Sequence, residues 1–184
     1  MQIPSHPSLE FLRPIEWSEI FDEWREREAY QQSWQKHWSE RGFDSWDEWR
    51  STYIKPYRPE TLDWSLYRIS DPIKASPDMY GVPTDTWIRG AYDGKTTRRL
   101  RNIIDYPPVR ENPKVEAIRK NFPKETMMIG LLFHDDIVLI EGMHRAVALA
   151  TWNPEIPFAS DVSIALAEWP GPELLPIGGD YKRK

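Results

Sequence analysis

The chain has 184 residues, 40% of them hydrophobic and 13% aromatic, which suits one domain of ordinary size whose core needs no staples. It contains no cysteine, so a disulfide framework, a thiolate nucleophile and a Cys-ligated zinc site are all excluded. A net charge of −5 argues against general electrostatic attachment to nucleic acid.

That charge is unevenly spread. Residues 1–60 carry eight Lys+Arg against twelve Asp+Glu, whereas residues 89–120 carry nine against four. The basic stretch could serve an anion locally, or simply balance the acidic N-terminal region. No basic-then-apolar leader opens the chain, and no apolar run approaches the ~20 residues of a membrane span. A cytoplasmic protein is the expectation.

Taken in order, the first 58 residues read as a helical segment holding six of the ten tryptophans. Trp17, Ile20, Phe21 and Trp24 form one stripe at helical spacing, and Tyr30, Trp34 and Trp38 a second, rotated one. The polar "REREAYQQ" between them predicts a bent helix or two short ones, stopping at Gly42. A cap at Asp44 or Ser45 restarts a helix with Trp46, Trp49 and Tyr53 on one side. These tryptophans invite a stacking role toward sugars or bases. Burial as the core-facing stripe is the stronger expectation, because an indole buries a large area and tolerates a domain seam.

After the connector "KPYRPE" (55–60), "WSLYRI" (64–69) alternates as a strand. Residues 70–85 read as an ordered loop, 89–102 as a glycine turn with a basic segment of helical character, and 106–113 as a second loop. Asn112 and Pro113 start a helix that Val115, Ile118 and Phe122 continue and Pro123 ends. "TMMIGLLF" and "IVLIE" form a hairpin about "HDD", followed by a helix over 143–152 and a strand over 161–169. The fold expected is α+β: a small mixed sheet with flanking helices over 59–184, behind a Trp-rich helical segment over 1–58.

The stretch "IVLIEGMHRAVALA" (137–150) places Glu141, Gly142, His144 and Arg145 in an otherwise apolar run. If the helix starts just after Gly142, His144 and Arg145 fall in its first turn, beside unpaired amides and the positive end of the dipole. Arginine is unfavourable there unless an anion is bound. In that case Gly142 allows close approach, the amides point at the ligand and Arg145 forks onto phosphate oxygens. Alternatively, Arg145 pairs with Glu141 four residues earlier and His144 is a satisfied core histidine. Arg145 turned onto Glu141 in a closed pocket would speak for the second reading. An open basic cleft reached by His144 and an arginine from 89–101 would speak for the first.

The strand–EGMHRAVALA–helix arrangement resembles the nucleotide-binding motif of the ParB/sulfiredoxin superfamily, whose members carry Gly-x-His-Arg or Gly-x-Arg-Arg at this junction. The resemblance covers roughly residues 60–170, and residues 1–58 have no counterpart in it. It implies a ParB/sulfiredoxin-like fold and phosphate contacts from Gly142, His144 and Arg145, with Glu141 at a position where several members are acidic. Sulfiredoxin chemistry is excluded, because the catalytic cysteine's place is taken by Met143. A DNA-partitioning clamp is disfavoured, because the Pro- and Gly-rich stretch after residue 169 leaves no room for a helix-turn-helix module. The branch that phosphorylates free serine with ADP keeps a small-molecule kinase in view, with no catalytic carboxylate assigned.

His134, Asp135 and Asp136 read as a turn rather than a metal site. "AYDGKTTRR" lacks the first glycine of a P-loop, although Arg98 and Arg99 could reach phosphates held at Arg145. The functional expectation is therefore binding of a nucleotide or other phosphorylated small molecule at the EGMHR helix start, with magnesium as the companion ion and with phosphoryl transfer or hydrolysis left open. On this reading Arg145→Ala abolishes binding at little cost to stability. The competing expectation is a non-catalytic protein-interaction module that contacts its partner through residues 1–58.

Overall fold

The computed structural model describes residues 8–178. Five strands form one mixed sheet in the order β1-β2-β5-β3-β4. β1 (Leu9–Pro14) runs antiparallel to β2 (Trp64–Ile69), which runs antiparallel to β5 (Asp161–Glu168). β5 is parallel to β3 (Glu125–Phe133), and β3 forms a hairpin with β4 (Asp136–Glu141). The hairpin turn places His134 and Asp135 in left-handed conformations (φ 50° and 69°), the geometry that matches the twist of two-residue hairpins. "HDD" is therefore a turn. Residues 126–132 of β3 and 164–167 of β5 are buried throughout, because neighbouring elements cover both faces of these central strands.

Three helices precede β2: α1 (Trp17–Glu28), α2 (Gln32–Glu40) and α3 (Trp46–Ile54). Gly42, at φ 81°, follows α2, and Ser45 caps α3 by accepting from the Glu48 amide at 3.1 Å. β1 was not foreseen. The segment expected to be helical throughout opens with an edge strand, and its pairing with β2 carries the sheet across the boundary drawn at residue 58. Residues 1–7 of that segment lie outside the described residues. Between β2 and β3 lie four short helices: α4 (Pro72–Ala75), α5 (Asp85–Ala91), α6 (Pro107–Arg110) and α7 (Pro113–Lys120). The basic segment after Gly94 is irregular rather than helical, with one 3-10 turn at Leu100–Asn102. Asn112 caps α7 through the Lys114 amide at 2.9 Å. α8 (Met143–Ala150) links β4 to β5. No helix among the described residues is long and apolar enough to cross a membrane.

The tryptophan-rich segment is core. Trp24, Trp46 and Trp49 are buried, and the rings of Trp24 and Trp46 meet edge to face at 5.6 Å. Buried among them, Arg50 lies 3.9 Å from the centroid of Trp49, 4.6 Å from Trp24, 4.8 Å from Tyr53 and 5.0 Å from Trp34. Its Nε donates to Glu28 Oε2 at 2.9 Å, and Trp46 Nε1 donates to the same oxygen at 3.1 Å. A single buried cation thus meets a single buried carboxylate inside an aromatic box. Tyr30 departs from its expected stripe: it sits in the turn between α1 and α2 and is 80% exposed.

Candidate functional site

Gly142 joins β4 to α8 at φ 98°, a conformation glycine adopts without strain. A side chain there would also collide with Met128, whose Cγ is 2.7 Å from the position of a Cβ. The close approach that only glycine permits is thus made by Met128. α8 is buried on nearly every side: Met143 and residues 145–149 are all inaccessible. Tyr92, whose hydroxyl donates to the Val82 carbonyl at 3.1 Å, packs 4.0 Å from the Met143 sulfur.

Arg145 points back into the sheet. β4 pairs with β3 only from Ile129 onward, so Met127 lies beyond the end of β4. Arg145 Nη1 donates to the Met127 carbonyl at 3.1 Å and to Thr126 Oγ1, while Nη2 donates to both oxygens of Glu141. The guanidinium thus closes the sheet where β4 stops and is 9% exposed. It follows the pairing alternative, and with four of its donors used it is a frame member rather than a reachable phosphate ligand. The expectation that Arg145→Ala costs little stability falls with it.

Arg99 is not brought to this junction, whereas the Arg98 backbone lies beside Gly81, which approaches Met143. Arg98 pairs with Asp93. Arg99 donates to Asp136 at 2.9 Å and lies over the Tyr80 ring, at the opposite end of β4 from Glu141, about 16 Å away by strand rise.

A different arginine is at the junction. Arg27, from α1, donates through Nη1 to the same Met127 carbonyl that Arg145 uses, and its Nη2 lies 3.6 Å from Glu141 Oε2. Its Nε and Nη2 are buried and make no hydrogen bond. Burial lowers its pKa, and Arg145 beside it acts in the same direction. Burial alone would raise the Glu141 carboxyl, but Arg145 and Arg27 hold it below the ordinary range. The remaining acid nearby, Glu23, lies 3.8 Å from Arg27 and is pushed up by burial. Two guanidiniums therefore share Glu141, and one of them, Arg27, also faces Glu23. No sequence pattern links residue 27 to residue 141; only the packing of α1 onto the end of the sheet does so.

Two helices begin at this place. α7 packs along α8, Phe122 and Trp152 touch at 6.0 Å just beyond their C-terminal ends, and Lys114 and His144 lie in electrostatic reach of one another at their starts. The helices therefore run side by side in the same direction, with the positive ends of both dipoles together. His144 is pushed down to about 4, first by burial and then by Lys114, outweighing the pull of Glu141. It is a neutral imidazole near pH 7, with the Trp87 ring at 5.9 Å. Lys114 Nζ lies 4.6 Å from the Trp34 ring centroid.

Among the described residues, no group of three or more His, Asp or Glu is placed to hold a metal ion. Comparison with protein-family models, with curated proteins and with solved structures finds no match to this chain.

Proposed function

We propose that this protein binds a nucleotide or another phosphorylated small molecule where α7 and α8 begin. The observation that carries the reading is a group of clustered cations in which Arg27 keeps two nitrogens without a hydrogen bond. Two parallel helix starts and Lys114 stand beside a cluster in which Arg27 and Arg145 share Glu141, in a chain that is acidic overall. An oxyanion would relieve this repulsion, accept from the helix amides and give Arg27 the hydrogen bonds it lacks. Arg27 is a quarter exposed, so turning its guanidinium toward an incoming anion takes a rotamer change rather than disruption of the core. Neutral His144 would donate one hydrogen bond, and the half-buried rings of Trp34 and Trp87 would flank a base. Gly142, Glu141 and Arg145 form the frame of this site. Glu141, held low between two guanidiniums, is a poor general base, so the proposal is one of binding and assigns no catalytic residue.

The second reading, a non-catalytic interaction module, is favoured by one observation: the arginine on which the motif's phosphate-binding reading rests is spent on Glu141, Thr126 and Met127. A thermal-shift screen of nucleotides and sugar phosphates, with and without magnesium, separates the two. A ligand at 100 times its Kd adds about 2.7 kcal/mol of stability. A hit supports the anion site, whereas silence across the panel supports the module.

A further inference from the structure

A groove lies away from α8, where α1 begins and α3 ends. It is open to solvent, with a volume of about 660 Å³, within the range of small-molecule sites. Trp17, Ile54 and Pro59 supply its apolar wall, and Lys55, Arg58 and Glu60 its charges. Trp17 stacks on Trp64 at 5.3 Å and 32°, is half-buried, and lines the groove. Trp64 is itself anchored by its Nε1, which donates to the Pro59 carbonyl at 2.8 Å. The aromatic wall is thus fixed before anything binds.

The charges are not balanced. Neither Lys55 nor Arg58 has an ion-pair or hydrogen-bond partner for its side chain among the described residues, and both are exposed. Lys55 closes α3, where a cation offsets the negative end of the dipole. Arg58 has no such role, and its backbone is left-handed at φ 46°, ψ 56°, between two 3-10 turns at Lys55–Tyr57 and Pro59–Thr61. Glycine or asparagine would sit there with less strain. An arginine kept in a strained conformation, unpaired, on the rim of a cavity floored by an indole is poorly explained by folding.

We infer that this groove binds a small planar-ring acid, with the ring against Trp17 and the anionic group on Arg58 and Lys55. Charge complementarity selects an anion, since two free cations face one carboxylate. The groove's volume of about 660 Å³ suits a small molecule. A neutral ring would leave both cations unanswered, and an aliphatic acid would leave the indole face uncovered.

The test uses the full chain labelled with ¹⁵N at tryptophan, with the Trp17 indole resonance assigned through Trp17→Phe. 2-Naphthoate should move that resonance saturably, whereas its neutral isostere 2-naphthamide at the same concentrations should not. Arg58→Gly should weaken 2-naphthoate binding by about ten-fold or more while the melting temperature holds or rises, since glycine removes the strain. Arg27→Met should leave this binding unchanged. The inference is overturned by the absence of a saturable shift, by equal responses to acid and amide, or by wild-type affinity in Arg58→Gly. Loss of the response in Arg27→Met also overturns it, because the probe would then sit at the start of α8.

Discussion

The protein buries arginine twice, and the two burials differ. Around Arg50 the count closes: one guanidinium, one carboxylate from Glu28, and a box of rings that receives the cation's faces. Around Glu141 the fit is looser: Arg145 and Arg27 share Glu141, Arg27 also faces Glu23 at 3.8 Å, a third cation stands on the neighbouring helix, and Nε and Nη2 of Arg27 make no hydrogen bond. Buried donors left without a hydrogen bond cost stability, and the second arrangement keeps two of them on Arg27. The balanced box explains itself as structure. The looser cluster is the one on which the proposed anion site rests.

The comparison can be broken by substitution. Glu141→Ala should be the most damaging change, leaving Arg145 without a counter-charge and Arg27 with Glu23 alone, and is expected at about 5 kcal/mol by urea denaturation. Glu28→Ala strands Arg50, which the rings still cover, and the Trp46 indole N–H, and should cost about 3–5 kcal/mol; equal losses would remove the distinction drawn here. Arg145→Ala removes the group that closes the sheet beyond β4 and belongs in the same range of about 3–5 kcal/mol. Arg27→Met should fall within about 1 kcal/mol of wild type, because Arg145 still serves both Glu141 and the Met127 carbonyl. A large loss in Arg27→Met would make Arg27 as structural as Arg50.

The smallest effect concerns pH. His144 and His37 are both pushed down to about 4, each first by burial, so between pH 6.5 and 4 the unfolded chain binds protons that the folded chain refuses. Stability is then full above about 6.5 and falls as the pH drops, by up to about 1.4 kcal/mol per unit for a fully shielded histidine and less for the more exposed His37. Glu23, pushed up by burial, acts in the opposite sense, its contribution being lost as pH rises through its folded value. Urea midpoints across this range should steepen in wild type and flatten in His144→Gln.

How much of this was legible in the sequence follows the physics of each signal. β2, the β3–β4 hairpin, α7 with its Asn112 cap and α8 were all readable, because period, caps and turn residues are local. β1 was not: "LEFLRP" is short, exposed along most of its length and ended by proline, so the pairing with β2 that makes it a strand leaves no local periodicity. The tryptophans were expected as core, and Trp24, Trp46 and Trp49 are buried. The EGMHR junction was visible as a polar interruption in an apolar run, but the direction of Arg145 was not, since it depends on where β4 stops relative to β3. Arg27 was invisible for the same reason: its partner is 114 residues away in sequence and the contact exists only in the fold.

The most direct test is a calorimetric titration of wild type and Arg27→Met with ATP and with inorganic pyrophosphate, each with and without magnesium. Saturable binding of at least one of these to wild type, weakened about ten-fold or more in an Arg27→Met protein of unchanged melting temperature, is the predicted result. No binding to wild type, or the same affinity in both proteins, would contradict the account and leave the start of α8 as a piece of architecture.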